Sequence, residues 1–148
     1  MSVTCFFRCL GEGTTALAVR GPLSREDDAR LHREIRAHIA LGQRQQVFAD
    51  LSGLSRTEVT GQDMAQAAFS LELRAKEAGL TRRVAVFAPH GSYAAGIARM
   101  IEGFCAPMAW VEAAAFDDPD AALGWLGVSL DHLGLQVLPG WVPLHAAA

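Results

Sequence analysis

The hydrophobic pattern changes period several times along the chain, and each change marks an element. Val3 to Leu10 alternates imperfectly, meets Gly11-Glu12-Gly13, and is followed by a second strand-like run from Ala16 to Arg20, so a β-hairpin is predicted. Gly21-Pro22-Leu23 is expected to break that second strand. Ser24 followed by Asp27 then has the form of a capping box, which predicts a helix start. Leu31, Ile35 and Ile39 recur every four residues as one apolar stripe, with Arg25, Glu26, Arg30, Arg33 and Glu34 around it. His38 lies near that stripe and reads as a hydrogen-bonded boundary residue. After Gly42, Val47 to Leu51 is a short apolar run ended by a polar stretch, which suits a buried central strand running into a loop.

The second half repeats strand, tight loop and helix. A helix over about Gly61 to Ala78 carries Met64, Ala68, Leu71 and Ala75 on one stripe and Ala65, Phe69 and Leu73 on the next. That face is wide, and core burial is the expected use of it. Val84 to Ala88 is another apolar strand, closed by Pro89-His90-Gly91-Ser92 ahead of a helix from about Tyr93 to Cys105. Tyr93, Ile97, Met100, Ile101 and Phe104 form its predicted core stripe, with Gly96 a point of close packing. Met108 to Ala115 predicts a further strand. Asp118-Pro119-Asp120 supplies a cap, a first-turn proline and a first-turn acid for a helix ending near Gly127, with Ala121, Leu123, Trp125 and Leu126 on its buried side. The order β-β-α-β-α-β-α-β-α predicts an α/β domain: a mixed sheet of about five strands, parallel at its centre, covered by about four helices.

Composition narrows the function classes. With 148 residues, 51% of them hydrophobic, the chain has the size of one domain around one core. A net charge of −3, dispersed arginines and the single lysine Lys76 provide no clustered basic surface, which argues against nucleic-acid binding. Met1 to Leu10 has neither a basic leader nor a long apolar run, so a cytoplasmic location is expected. No apolar run approaches the roughly 20 residues of a membrane-spanning helix. Cys5 and Cys9 would lie about 13 Å apart on one strand, too far to bridge, and read as buried thiols. The histidines His32, His38, His90, His132 and His145 are widely separated, so no metal and no cofactor is expected.

Candidate chemistry gathers at strand ends. Asp50 reads as a strand-end carboxylate accepting bonds from loop amides, or as a charged member of a binding site at a strand's carboxyl end. Ser92 with His90 nearby invites a nucleophile-and-base reading, but His90 and Ala94 stand where a nucleophile elbow needs glycine, and no orienting acid is identifiable. Ser92 is therefore expected to cap its helix, whose free amides are also able to receive an anion. The acid pairs Asp27-Asp28 and Asp117-Asp118 fall at helix starts, where capping explains them without acid–base catalysis.

Three segments occur in an order that resembles the SpoIIAA-like proteins of STAS/SEC14 type: Phe48 to Gly53, Tyr93 to Met100 with Glu102, and Phe116 to Leu126. The resemblance covers roughly Val3 to Gly127. It implies a small α/β fold used for binding rather than catalysis. STAS domains of anti-sigma-factor antagonists dock onto kinase partners and are switched by phosphorylation of a serine in Asp-Ser-Ser-Gly. Aligned without gaps from Asp50, this chain has Glu58-Val59-Thr60-Gly61 there, so Val59 offers no oxygen to phosphorylate and Thr60 is expected to cap the next helix.

Two readings follow. The leading one is a non-catalytic regulatory or protein-interaction module of STAS type, not an enzyme, without the usual serine switch. The other is a small apolar-ligand, lipid-like binding protein. Candidate binding residues are Asp50, Glu58, Thr60, Phe69, Leu73, His90 and Ser92. Residues 1–127 are expected to form the SpoIIAA-like domain. Residues 128–148 form an apolar extension with Leu130, Leu133, Leu135, Val137, Leu138 and Trp141, packed on the domain or on a second subunit as a homodimer.

Overall fold

Strand β1 (Thr4–Leu10) turns back into β2 (Thr14–Leu23), and from there helices and strands alternate: α1 (Arg25–His38), β3 (Gln46–Thr57), α2 (Gly61–Ala78), β4 (Arg82–Phe87), α3 (Tyr93–Cys105), β5 (Val111–Phe116) and α4 (Pro119–Leu126). A two-residue strand, β6 (Val142–Pro143), follows. This computed structural model describes residues 4–10, 13–38, 45–128 and 142–143. The expectations for the Gly11-Glu12 turn, for Gly42, for the side chains of Cys9, Ile35 and His38, for Ile39, His132 and His145, and for most of the C-terminal extension lie outside the described residues.

The sheet order is β5-β4-β3-β2-β1-β6. β2, β3, β4 and β5 are parallel, while β1 is antiparallel to β2, so the centre of the sheet is built by helical crossover units and its edge by a hairpin. The five-strand, four-helix α/β domain expected from the hydrophobic pattern is present. β6 extends the sheet by pairing Phe6 with Pro143 and Phe7 with Val142.

Two strands are longer than their apolar runs. β2 continues through Gly21-Pro22-Leu23, where a break was expected. Gly21 has φ 90° and the register with β3 shifts at Gly21/Pro22, so the irregularity is absorbed as a bulge rather than ending the strand. β3 continues past Leu51 to Thr57 because β2 remains beside it, pairing Arg20 with Gly53 and Leu23 with Thr57. A Cβ on Gly53 would lie 2.8 Å from Arg20 Cγ, so the absence of a side chain there lets the two strands run close. β5, by contrast, begins at Val111 rather than Met108.

Alternate residues divide between two faces. Ala16, Ala18, Phe48 and Ala85 pack under Ala122, Leu123 and Leu126 of α4. On the other face Leu17, Val47, Leu51 and Val86 lie under α1, α2 and α3. The helix ends follow local chemistry. Ser24 Oγ accepts from the Asp27 amide at 3.0 Å, and Asp118 accepts from the amides of Asp120 and Ala121 with Pro119 in the first turn. α4 buries Ala122 rather than Ala121.

Candidate functional site

Helix α2 is pinned at both ends but stands off the sheet between them. At its start Thr60 makes a reciprocal capping box: its hydroxyl accepts from the Asp63 amide at 3.1 Å, and its own amide donates to Asp63 Oδ2 at 3.0 Å. Thr57 just before it donates its hydroxyl to the Leu23 carbonyl, and the Thr57 amide donates to the Tyr93 hydroxyl. Gly61 lies against α3, where an added Cβ would meet Met100 Cε at 3.2 Å. Further along, Glu72 accepts from the Trp110 amide at 3.2 Å. Arg25 joins α1 to α2 through a 3.0 Å ion pair with Asp63.

Between these anchors the helix turns Met64, Ala67, Ala68 and Leu71 toward the sheet. Alanine reaches too short a distance to close the gap, and a cavity of about 690 Å³ remains. Its floor is Leu17, Val19, Val47, Ala49, Leu51 and Val84, with Ile97 and Ile101 of α3 on one side and Leu31 of α1 on the other. A volume in the range of roughly 300–1,000 Å³ and a mainly apolar lining are the properties of small-molecule pockets.

Polar groups stand at defined places on this surface. Asp28, His32, Asp63 and Arg74 line both the cavity and a groove between α1 and α2. His32 Nε2 lies 3.4 Å from Asp28 Oδ1. Arg82, 2% exposed, lines the inside. Burial and the neighbouring Arg74 charge both lower its guanidinium pKa. The two cysteines that line the cavity are poor nucleophiles: burial pushes the Cys5 thiol up to about 12, and burial with the nearby Glu72 carboxylate raises that of Cys105.

The residues singled out by sequence are scattered by the fold. Asp50 is not at a strand end. It lies inside β3, 6% exposed, with Oδ1 accepting from the Ser52 amide at 2.8 Å, and it belongs to the α4 side of the sheet. Thr60 is the helix cap, as expected. Glu58 is exposed, and its amide is bound to the Leu23 carbonyl. Ser92 occupies the cap position of α3, but its hydroxyl donates to the Pro89 carbonyl at 2.6 Å instead of accepting from the helix. His90 is on the surface, 4.0 Å from Asp117. Phe69 and Leu73, expected in the core, are 57% and 45% exposed, and Tyr93 and Met100 also face outward. The reason is rotational: at 100° per residue, Met64, Ala68, Leu71 and Ala75 share one side of α2, and the second stripe falls on its flank. Gly96 meets no close neighbour; Gly61 holds the close contact instead.

The cavity residues Ala67, Arg74 and Arg82 were not identified from sequence. Alanine reads equally well as close packing, and two arginines eight positions apart on different elements carry no local signal. Val59, noted only for its missing hydroxyl, lines the cavity.

No protein-family model matches this sequence, nor does any curated protein. Solved structures do match. An uncharacterized DUF3478-family protein with a SpoIIAA-like fold from Shewanella loihica PV-4 aligns with TM-score 0.54 and 21% identity, over 84% of this chain and 93% of that one. The chain has a SpoIIAA-like fold. The anti-sigma factor antagonist SpoIIAA in its unphosphorylated form also aligns, with TM-score 0.51 and 13% identity, over 82% of this chain and 97% of that one. At these identities the likeness concerns the fold, and the SpoIIAA-like frame leaves function to the site built on it. Among the described residues no helix of this SpoIIAA-like domain is long and apolar enough to cross a membrane.

Proposed function

We propose that this SpoIIAA-like domain binds a small apolar, lipid-like ligand in the cavity beneath α2, without catalysing a reaction on it. The observation that carries this reading is the apolar volume of about 690 Å³ between sheet and helices. The candidate nucleophiles support a binding role: Ser92 is turned into its own loop, and the cavity thiols are held protonated by burial. Occupation would stabilise the native state in proportion to ligand concentration over its dissociation constant.

The test uses the full-length protein and a neutral, polarity-sensitive apolar dye. Saturable binding is expected, with loss of at least tenfold in affinity for Ala68→Phe, which fills the space, and no loss for Phe69→Glu, which projects outside it. Ala67→Leu serves as a milder block should Ala68→Phe not fold. Undiminished dye binding by a folded blocked variant would refute the reading.

A second reading, a regulatory module that docks a protein partner or a second copy without the usual serine switch, draws on a different observation. Phe69 and Leu73 stand one turn apart and exposed on the outer flank of α2, away from the cavity. Val59 at the position of the switch serine, and a Thr60 hydroxyl engaged in the cap, support a module that works without phosphorylation there. The apolar extension after residue 127, which reaches the β1 edge through β6, is a further element for such an interface.

A further inference from the structure

Resting on the ligand-binding reading, we infer that the ligand enters and leaves between α1 and α2, through a gate that the Arg25–Asp63 ion pair holds shut. Other sides of the cavity are closed by short contacts. The hydrogen-bonded strands β2, β3 and β4 form its floor. Toward α3, Ile97 and Ile101 line the wall, and Gly61 lies so close that an added Cβ would come within 3.2 Å of Met100 Cε. Further along that side Glu72 accepts from the Trp110 amide. At the start of α2, Thr57 is tied to the Leu23 carbonyl through its hydroxyl and to the Tyr93 hydroxyl through its amide.

The α1 side is built differently. Asp28, Ala29 and His32 of α1 face Gln66, Ala67 and Ser70 of α2 across a groove of about 470 Å³. Spacings of three and four keep each set on one face of its helix. These residues are polar or small, so they offer little apolar surface to hold the two helices together. Asp28, His32, Asp63 and Ala67 belong to both groove and cavity, so one layer of side chains borders the two. Across this layer Arg25, at the first position of α1 and 67% exposed, reaches Asp63 at 3.0 Å. The Thr60 amide first, and then Arg25, hold the Asp63 carboxyl below its ordinary range, so the pair is charged at neutral pH. An ion pair so exposed resists opening only weakly, which suits a tie that breaks and re-forms as a ligand passes. The buried anchor of α1 is Leu31, packed with Cys5 and Leu17 six positions beyond Arg25, which leaves the first turn to swing about it.

Stopped-flow exchange of the neutral dye N-phenyl-1-naphthylamine into and out of the full-length protein tests the gate. The tie is present with the cavity full or empty, so breaking it lowers the barrier in both directions. Arg25→Gln should raise association and dissociation rates together, about two- to fivefold, and leave Kd within twofold. Arg25→Lys, which keeps the charge, should stay near the parent. Molar sodium chloride should accelerate exchange in the parent more than in Arg25→Gln, because screening acts on a pair the variant lacks. Tyr93→Phe, which loosens the opposite side of α2, should leave the rates unchanged. Arg25 is exposed, so its variants are expected to fold, which circular dichroism checks. Unchanged rates in Arg25→Gln, a rise in dissociation alone, or equal acceleration by Tyr93→Phe would overturn the gate while leaving the pocket standing. Failure of the parent to bind the dye would overturn both.

Discussion

The two faces of the sheet are built from alternate residues of the same strands, yet one is closed and the other holds a cavity. On the α4 face, the small Ala16, Ala18 and Ala85 leave room that Phe48, Leu123 and Leu126 occupy, each at most 4% exposed. Large side chains meet small ones, and the layer interdigitates. On the opposite face the strands offer Leu17, Val47, Leu51 and Val84, but α2 answers with Ala67 and Ala68 from a backbone held away by Gly61 on α3 and by Asp63 on α1. Composition alone does not separate the faces, since both are rich in alanine. What separates them is whether the helix that carries the alanines is free to descend. α4 settles on the sheet, whereas α2 is held by its contacts with α1 and α3.

The largest effect expected from this contrast is at Leu123, which is 0% exposed in the α4 layer. Leu123→Ala should destabilise the protein by about 3–5 kcal/mol, because a rigid layer cannot collapse around the deletion; chemical denaturation measures it. An intermediate effect separates the faces directly. Ala122→Leu, at a position with no exposure, should destabilise by roughly 1–3 kcal/mol through overpacking, while Ala68→Leu should be neutral or stabilising because its added carbons enter existing space. Equal destabilisation by the two would mean that the α2 face is as tightly packed as the other. The smallest effect is expected on the outer flank of α2: Phe69→Glu with Leu73→Glu should change stability by no more than about 0.5 kcal/mol. Sedimentation of that double variant beside the parent reads the interaction surface. Loss of self-association would assign Phe69 and Leu73 to it, and identical behaviour of two monomers would remove the homodimer reading of that flank.

Helix starts were legible because their signals are local. Ser24, Thr60 and Asp118 each cap a helix within three residues of themselves, and those bonds form in any tertiary setting. Ser92 fitted the same pattern and departs from it, since the Pro89 carbonyl is closer at hand than the helix amides. Asp50 was misplaced because a strand's end depends on its neighbours: seven residues beyond Asp50 remain strand through Thr57, paired with β2 across two register shifts that no local pattern announces. The exposure of Phe69 and Leu73 was hidden by a face too wide to say which half meets the sheet.

The sequence by itself determined the order of elements, the polarity of the sheet's centre and the capped helix starts, because alternation, the 3.6-residue period and caps act over a few residues. It also determined that position 59 has no hydroxyl. Tertiary structure alone decided how far β2 and β3 run together, which flank of α2 faces water, and that an apolar space remains between α2 and the sheet. Those outcomes depend on distances between elements far apart in the chain, and the height of α2 above the sheet is set by its contacts with α1 and α3 rather than by its own residues.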